Sequence, residues 1–503
     1  MKKFLFLFVI LFSIQLTTAQ NEIMPSKKTQ KAFGKIDFLS IELPNNDPNM
    51  GFTGIHYNLM LNDWSYAGIG LYGAVSGNKG GFFTLGINAG IKKYLGDDFY
   101  LDTGFHFGGG GGVSAPDGGG AFILPHFNLG YDFKKFSLNS GWSYVDFFDG
   151  GDIKGHQFNI GLEIPLDYTY SNYSTSENEF NFKDLKKSDW NNISKRTSLM
   201  LHLNTLKIKG NTQGINNGKT IKLAGFELAS YFNKNWFAFL KVDGAFDGIK
   251  AGFMDVFLGG GYQYIFNKNN TNILAKFGVG AAGGGGIDTQ GGFLLYPDLS
   301  IEQRIFNDLF IAVNKGFVLS PNSHFNTSSL GIGLKYYIDR NGIIADKSFS
   351  KGKFKGFEVI VKQDLYIDAN RDANTSEDMH QISLQLNLDL NKNIYVTGQT
   401  SFANFGDAGA YAEGIVGLGA KTNPFFNDKI TLFGQVLGGA AGGGGISTGE
   451  GLIVKPSAGF SYKLNNTLSL RTAAGYVKAK GGSLSSTFIN FGIKYHLSFL
   501  KMN

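Results

Sequence analysis

The sequence predicts an all-β chain that crosses a membrane as an antiparallel β-barrel, with about 24 strands arranged as three repeats of an eight-strand unit. Three observations predict it. Apolar and polar residues alternate over long runs, turn signals interrupt those runs every 12 to 18 residues, and one ordered set of landmarks occurs three times.

The alternation is cleanest from His380 to Leu390. Ile382, Leu384, Leu386, Leu388 and Leu390 share one face, and Gln381, Ser383, Gln385, Asn387 and Asp389 share the other. Period two over such a run is a strand and not a helix. Met254, Val256, Leu258, Tyr262 and Tyr264 repeat the pattern, as do Phe491, Ile493, Tyr495 and Leu497. Strands of roughly 10 to 15 residues exceed the five or six usual in soluble sheets and suit a tilted crossing of a bilayer. A soluble exported β-sandwich or β-solenoid also alternates, but such folds want bulk on the inward face, and here glycine stands opposite the large apolar residues.

Two classes of turn alternate along the chain. Short ones carry Asn, Asp and Lys, as at Asn62-Asp63, Asn233-Lys-Asn235, Asn391-Lys-Asn393 and Asn465-Asn466, whereas Ser76 to Gly81 and Ala115 to Gly120 are longer and rich in glycine. With a periplasmic N-terminus the short turns fall on the periplasmic side and the longer loops outside, which is the asymmetry of outer-membrane barrels. Trp64, Trp236, Phe99-Tyr100, Phe133, Phe266, Phe425-Phe426 and Tyr462 sit at strand ends, where a bilayer interface selects aromatics.

The repeat rests on four landmarks in one order. Phe107-Gly-Gly-Gly-Gly-Gly-Val113 recurs as Gly280-Ala-Ala-Gly-Gly-Gly-Gly-Ile287 and Gly439-Ala-Ala-Gly-Gly-Gly-Gly-Ile446. Each is followed by Pro125, Pro297 or Pro456 after an apolar run, then by a Gly-aromatic pair at Gly141-Trp142, Gly316-Phe317 and Gly475-Tyr476. Each unit closes on a similar strand: Asn159-Ile-Gly-Leu-Glu163, Gly331-Ile-Gly-Leu-Lys335, Asn490-Phe-Gly-Ile-Lys494. The units run over residues 34–169, 196–340 and 354–500. Polar connectors, about 169–195 and 340–353, are much longer than the other turns at that end. One 24-strand ring and three small barrels are both open to this sequence: long connectors favour three, and repeat fusion favours one.

Residues 1–19 read as a cleaved secretory signal. Lys2 and Lys3 precede the short apolar core Phe4 to Phe12, and Thr17 and Ala19 occupy the positions a signal peptidase reads. Removing the two lysines takes the formal charge from +6 to +4. With 47 Phe and 22 Tyr among 503 residues the chain has ample apolar surface to bury, which excludes disorder. Scattered charge excludes nucleic acid as a partner. The chain has no Cys, hence no lipid-anchoring cysteine and no disulfide framework.

With its Thr-Ala-Gln signal end (Thr18 to Gln20), its alternating strands and its strand-end aromatics, the chain resembles outer-membrane β-barrel proteins of the Bacteroidota type. The resemblance covers the whole chain and is architectural. It implies location in the outer membrane of a Gram-negative-type bacterium, contact with outer-membrane lipid, and other envelope proteins as further partners. Such proteins usually finish on an aromatic residue, whereas Phe499 is followed here by Leu500-Lys-Met-Asn503.

Two residue sets are candidates for function. Gly109, Pro125, Gly284, Pro297, Gly443 and Pro456 form a candidate seam, because proline lacks the N–H a ladder needs and glycine leaves both sheet faces bare. Such a seam either admits lipid sideways or is a bulge that sets curvature. Glu163, Asp255, Gln263, Lys335 and Lys494 are candidate lumen residues, lining a polar passage or forming a closed network. The glycine run lacks the Lys-Ser/Thr of a phosphate loop. No two of the eight His stand at metal-ligand spacing, and no base and orienting group can be paired. The sequence therefore predicts no catalytic residue, metal or cofactor. It predicts a non-enzymatic barrel in porin-like passage or envelope organisation, with a lipid-binding or lipid-modifying barrel and a surface scaffold or adhesion subunit as the alternatives.

Overall fold

The computed structural model describes residues 25–190, 195–209, 213–340, 351–373 and 375–502. The signal segment read over residues 1–19 lies outside them. Three separate eight-stranded antiparallel barrels are present, so the sequence's two architectures resolve to three small rings. The first runs from Ala32–Ile41 to Lys154–Pro165, the second from Lys195–Lys209 to Asn326–Arg340, and the third from Lys351–Ala369 to Ser485–Met502. Each closes by pairing its first strand with its last, in registers that set Lys35 opposite Glu163, Met200 opposite Lys335 and Ile360 opposite Lys494.

The barrels are polar inside and apolar outside. In Glu377–Asp389 the residues Gln381, Ser383, Gln385, Asn387 and Asp389 are buried, while Leu384, Leu386 and Leu388 stand outward. Phe158, Leu299 and Phe491 are at least 60% exposed in the middle of their strands. A water-soluble fold would reverse this order, and a bilayer requires it. The strand-end aromatics face outward at Trp64, Trp236, Phe99, Phe133, Phe266, Phe425, Phe426 and Tyr462. Tyr100 differs: it alternates inward from Phe99, is fully buried, and lies 3.9 Å beneath the Lys92 ammonium.

The connector after the first barrel is itself folded. Tyr168–Tyr170 pairs with Lys28–Gln30, and Glu179–Asn181 pairs with the start of the third barrel's first strand. Between them Tyr173 enters the short-turn mouth of the third barrel, where its hydroxyl donates to Asp389 Oδ2 at 2.7 Å. A one-turn helix, Phe182–Lys187, then leads to Trp190, which is buried against Phe354 and donates its Nε1–H to the Pro25 carbonyl at 2.7 Å. The second and third barrels also touch edge to edge, where Arg340 pairs with Lys501.

The three barrels form a closed ring. The third strand of each packs on the fifth strand of another: Ser65–Ser76 on Thr271–Gly283, Trp236–Asp247 on Ile430–Gly442, and Ile394–Phe405 on Phe99–Gly111. At the centre Phe83 and Leu85 of the first barrel meet Val256 and Ala281 of the second and Phe402 of the third. This is the geometry of a head-to-tail trimer, made within one chain.

Candidate functional site

Each interior is a set of paired charges. In the first barrel Asp37 accepts from Tyr72 at 2.9 Å and lies 3.2 Å from His56, while Glu163 holds Lys92 at 2.5 Å and accepts from Asn139 at 2.8 Å. In the second, Lys241 bridges Asp243 and Asp255 at 2.5 and 2.9 Å, Lys276 bridges Glu227 and Asp298, and Lys335 meets Glu302 at 2.7 Å. In the third, Lys455 bridges Asp364 and Glu413 at 3.1 and 3.2 Å, and Lys494 meets Glu358 at 3.1 Å. Glu163, Asp255, Gln263, Lys335 and Lys494 therefore all lie inside barrels. The first two and the two lysines are members of ion pairs; the buried side-chain amide of Gln263 has no hydrogen-bond partner among the described residues.

The loop end of every interior is apolar. Ile41, Met50, Phe52, Phe82, Phe122 and Phe147 fill the first barrel there, with the Phe52 and Tyr72 rings stacked 4.8 Å apart. Ile208, Ile221, Phe253 and Phe325 do so in the second, and Met379, Tyr411, Val477 and Leu484 in the third. At the opposite end a cavity of about 240 Å³ opens at the first barrel's mouth, beside Lys92, Tyr94, Asp132 and Glu163. The third barrel holds about 10 Å³ beside Glu358, Lys421 and Arg471, room for no more than one water. Eight strands enclose a space that side chains fill.

The proline and glycine positions separate into two devices. Pro125, Pro297 and Pro456 keep their pairing with the glycine strand, opposite Phe105, Phe277 and Val436. The ladder is interrupted on the other side. Pairs are missing between Ile123↔Asp146 and His126↔Ser143, between Leu295↔Leu319 and Asp298↔Gly316, and between Val454↔Lys478 and Ser457↔Gly475. The register is the same before and after each gap, so the proline makes no bulge there; its absent N–H faces the seventh strand. The gap thus faces Phe317 and Tyr476 of the Gly-aromatic pairs in the second and third barrels and Tyr144, two residues past Trp142, in the first, not the glycine run.

The glycines serve the ring. A Cβ on Gly109 would stand 2.3 Å from the Ala403 carbonyl oxygen of the third barrel. Gly284 and Gly443 turn the chain at φ +92° and +100°, and Gly81 of the first barrel packs so closely that its Cβ would meet Gly284 N at 2.4 Å. Gly80 N–H donates to the Gln290 carbonyl at 2.6 Å, and Gly406 N–H to Asp149 Oδ2 at 3.1 Å, each between barrels. The glycine loops after strands three and five interlock around the ring. In one of them the Asp117 carboxyl is buried, accepts from Gly112 N–H at 2.8 Å, and is pushed up by burial to about 7.

Sequence reasoning did not single out Lys241, Asp243, Lys276, Asp364 or Lys455, which carry the interior. Their signal was present as charges at inward positions of alternating strands. Ser300 and Glu302, adjacent on one inward face, bind separate groups: the Ser300 hydroxyl donates to Asp298 at 2.9 Å, and Glu302 binds Lys335 and Tyr337. No cluster of three potential metal ligands occurs among the described residues.

No family model matches the chain, and no curated protein matches it. Among solved structures, a designed transmembrane β-barrel is 13% identical over 28% of this chain and 95% of its own, with a TM-score of 0.20. The ferric enterobactin receptor of Pseudomonas aeruginosa is 9% identical over 93% and 81%, with a TM-score of 0.28. OpdQ of the same organism is 8% identical over 94% and 98%, with a TM-score of 0.22. At such scores these likenesses carry no inference about this chain.

Proposed function

We propose that this protein is an outer-membrane assembly of three sealed barrels that works in envelope organisation, without a chemical reaction of its own. Its short turns and folded connector face the periplasm, and its longer loops face outward. The observation that carries this reading is the filling of the interiors. Paired charges occupy the middle of each ring and apolar side chains close the loop end. Of the two versions open to the sequence, passage and organisation, a packed interior favours organisation, because a porin needs a wide aqueous lumen. The folded connector adds a rigid periplasmic surface under the third barrel.

Planar-bilayer recording on the purified full chain tests the sealed state, and a deletion strain tests the role. The expected results are no conducting steps, together with raised vesicle shedding and detergent sensitivity in the deletion strain. Regular conductance steps, or a deletion strain with a normal envelope and impaired uptake of one solute, would overturn the proposal.

A further inference from the structure

The outer face of the second barrel changes character along its length. On Lys195–Lys209 the outward residues are Leu199, Leu201 and Leu203, then Thr205, Lys207 and Lys209. Beside them on the closing strand stand Leu334, Ile332 and Leu330, then Ser328 and Asn326; on the seventh strand stand Ile311 and Val313, then Lys315 and Phe317. Register aligns these as rows: Leu203 with Ile332 and Val313, Thr205 with Leu330 and Lys315, Lys207 with Ser328 and Phe317. An apolar belt therefore gives way to a basic band towards the loop end. The closing strand meets the third barrel at Arg340, at the short-turn end of the strand and away from this band.

Lys207, Lys209 and Lys315 are exposed, and none forms an ion pair among the described residues. The Lys209 ammonium lies 5.9 Å from the centre of the Phe317 ring. Lys222, on the neighbouring strand, is by contrast neutralised by Asp247. The repeat supplies a control. In the third barrel the same registers place Ile367 where Lys207 stands, Leu365 for Thr205 and Ala474 for Lys315. Those three positions are apolar there, so the barrel fold does not itself demand a lysine at them.

Unpaired ammonium groups just beyond an apolar belt meet lipid headgroups, and phosphate is the anion such groups recognise at a membrane surface. Strands seven and one are about 10 Å apart across the closing strand, within the joint reach of two lysine side chains. We propose that Lys207, Lys209 and Lys315 bind the phosphorylated headgroup of an outer-leaflet lipid, an inference that rests on the orientation given under the proposed function. The belt of Leu203, Ile332 and Val313 takes the first segment of its acyl chains.

The test uses the full chain in neutral detergent, titrated with diphosphoryl lipid A and read by native mass spectrometry. Heat-dependent migration on gels checks that each sample is folded. The variants are K207Q/K209Q/K315Q and, as a control at the loop end of the third barrel, K478Q/K480Q. Saturable binding by the native chain and the control, at least tenfold weaker in the triple variant and with dephosphorylated lipid, is the expected result. Equal binding by the triple variant, no binding by the folded native chain, or complete displacement by equimolar orthophosphate would overturn it. A folded, non-conducting chain that ignores lipid A would sink this inference and leave the sealed-barrel reading standing; a conducting chain whose triple variant loses lipid A would do the reverse.

Discussion

Alanine at Gly109 tests whether the glycine run holds the ring together. Gly109 lies in an extended strand, so its backbone angles accept alanine, and only the space is at issue. The new Cβ would stand 2.3 Å from the Ala403 oxygen and 2.5 Å from the Asn404 Cβ. Relief of the 2.3 Å approach to an ordinary contact of 3.4 Å requires a shift of about 1.1 Å. Ala403 belongs to a paired strand and cannot rotate away as a flexible side chain would. The third barrel must therefore move off the first, loosening Phe402 at the centre of the ring. Overpacking of this kind costs about 1–3 kcal/mol. Urea unfolding of the full chain in detergent, followed by tryptophan fluorescence, measures it. Gly414→Ala is the comparison, since nothing lies within 4 Å of a Cβ there, and its effect should stay within about 0.5 kcal/mol. Equal effects from the two substitutions would refute the view that these glycines are kept for barrel-to-barrel approach.

Lys241→Met leaves Asp243 and Asp255 buried without their shared cation and should cost about 3–5 kcal/mol by the same unfolding assay. A loss under 1 kcal/mol would mean that the interior is hydrated enough to absorb a bare carboxylate. Burial raises the Asp117 carboxyl to about 7, so the native loop prefers it protonated. Loop stability is therefore greatest below the unfolded value near 4 and falls as pH rises towards 7, with no further loss above that. Hydrogen exchange of Gly112 to Gly120, corrected for intrinsic rates, should show this fall, and Asp117→Asn should flatten it. Replacing Pro125, Pro297 and Pro456 together by Val restores three N–H groups facing the seventh strands, each worth about 1 kcal/mol once paired. The thermal midpoint should rise with the outer-membrane barrier unchanged; leakage of lipophilic dyes in the native chain that the triple variant abolishes would instead favour lateral lipid access.

Period two and the landmark order made the strands and the threefold repeat legible, because both are properties of adjacent residues. Closure was not legible. Whether Glu163 lies beside Lys35 or beside the first strand of the next unit depends on a pairing across a whole unit, and no local residue specifies it. The side of the proline gap was hidden for a related reason: Pro125 has neighbours on both flanks, and only the phase of the ladder decides which one loses a bond. The glycine runs look in sequence like weakness within one wall, yet their bare surface is matched to backbone from another barrel. The connector read as a polar tether because Trp190 and Leu185 are isolated apolar residues, and their cover comes from Phe354 and Leu500, far along the chain.

Fusion of the three barrels has a consequence for how they can change. Separate subunits that close a ring must find one another, and each must keep both contact surfaces alike. Tethered units meet at an effective concentration that does not depend on expression level. A unit so held can lose symmetry without losing its place. The third barrel can take the connector's Tyr173 into its mouth, and the second can carry lysines where the third keeps Ile367 and Ala474. One gene product can thus present three chemically distinct faces at a fixed stoichiometry of one to one to one.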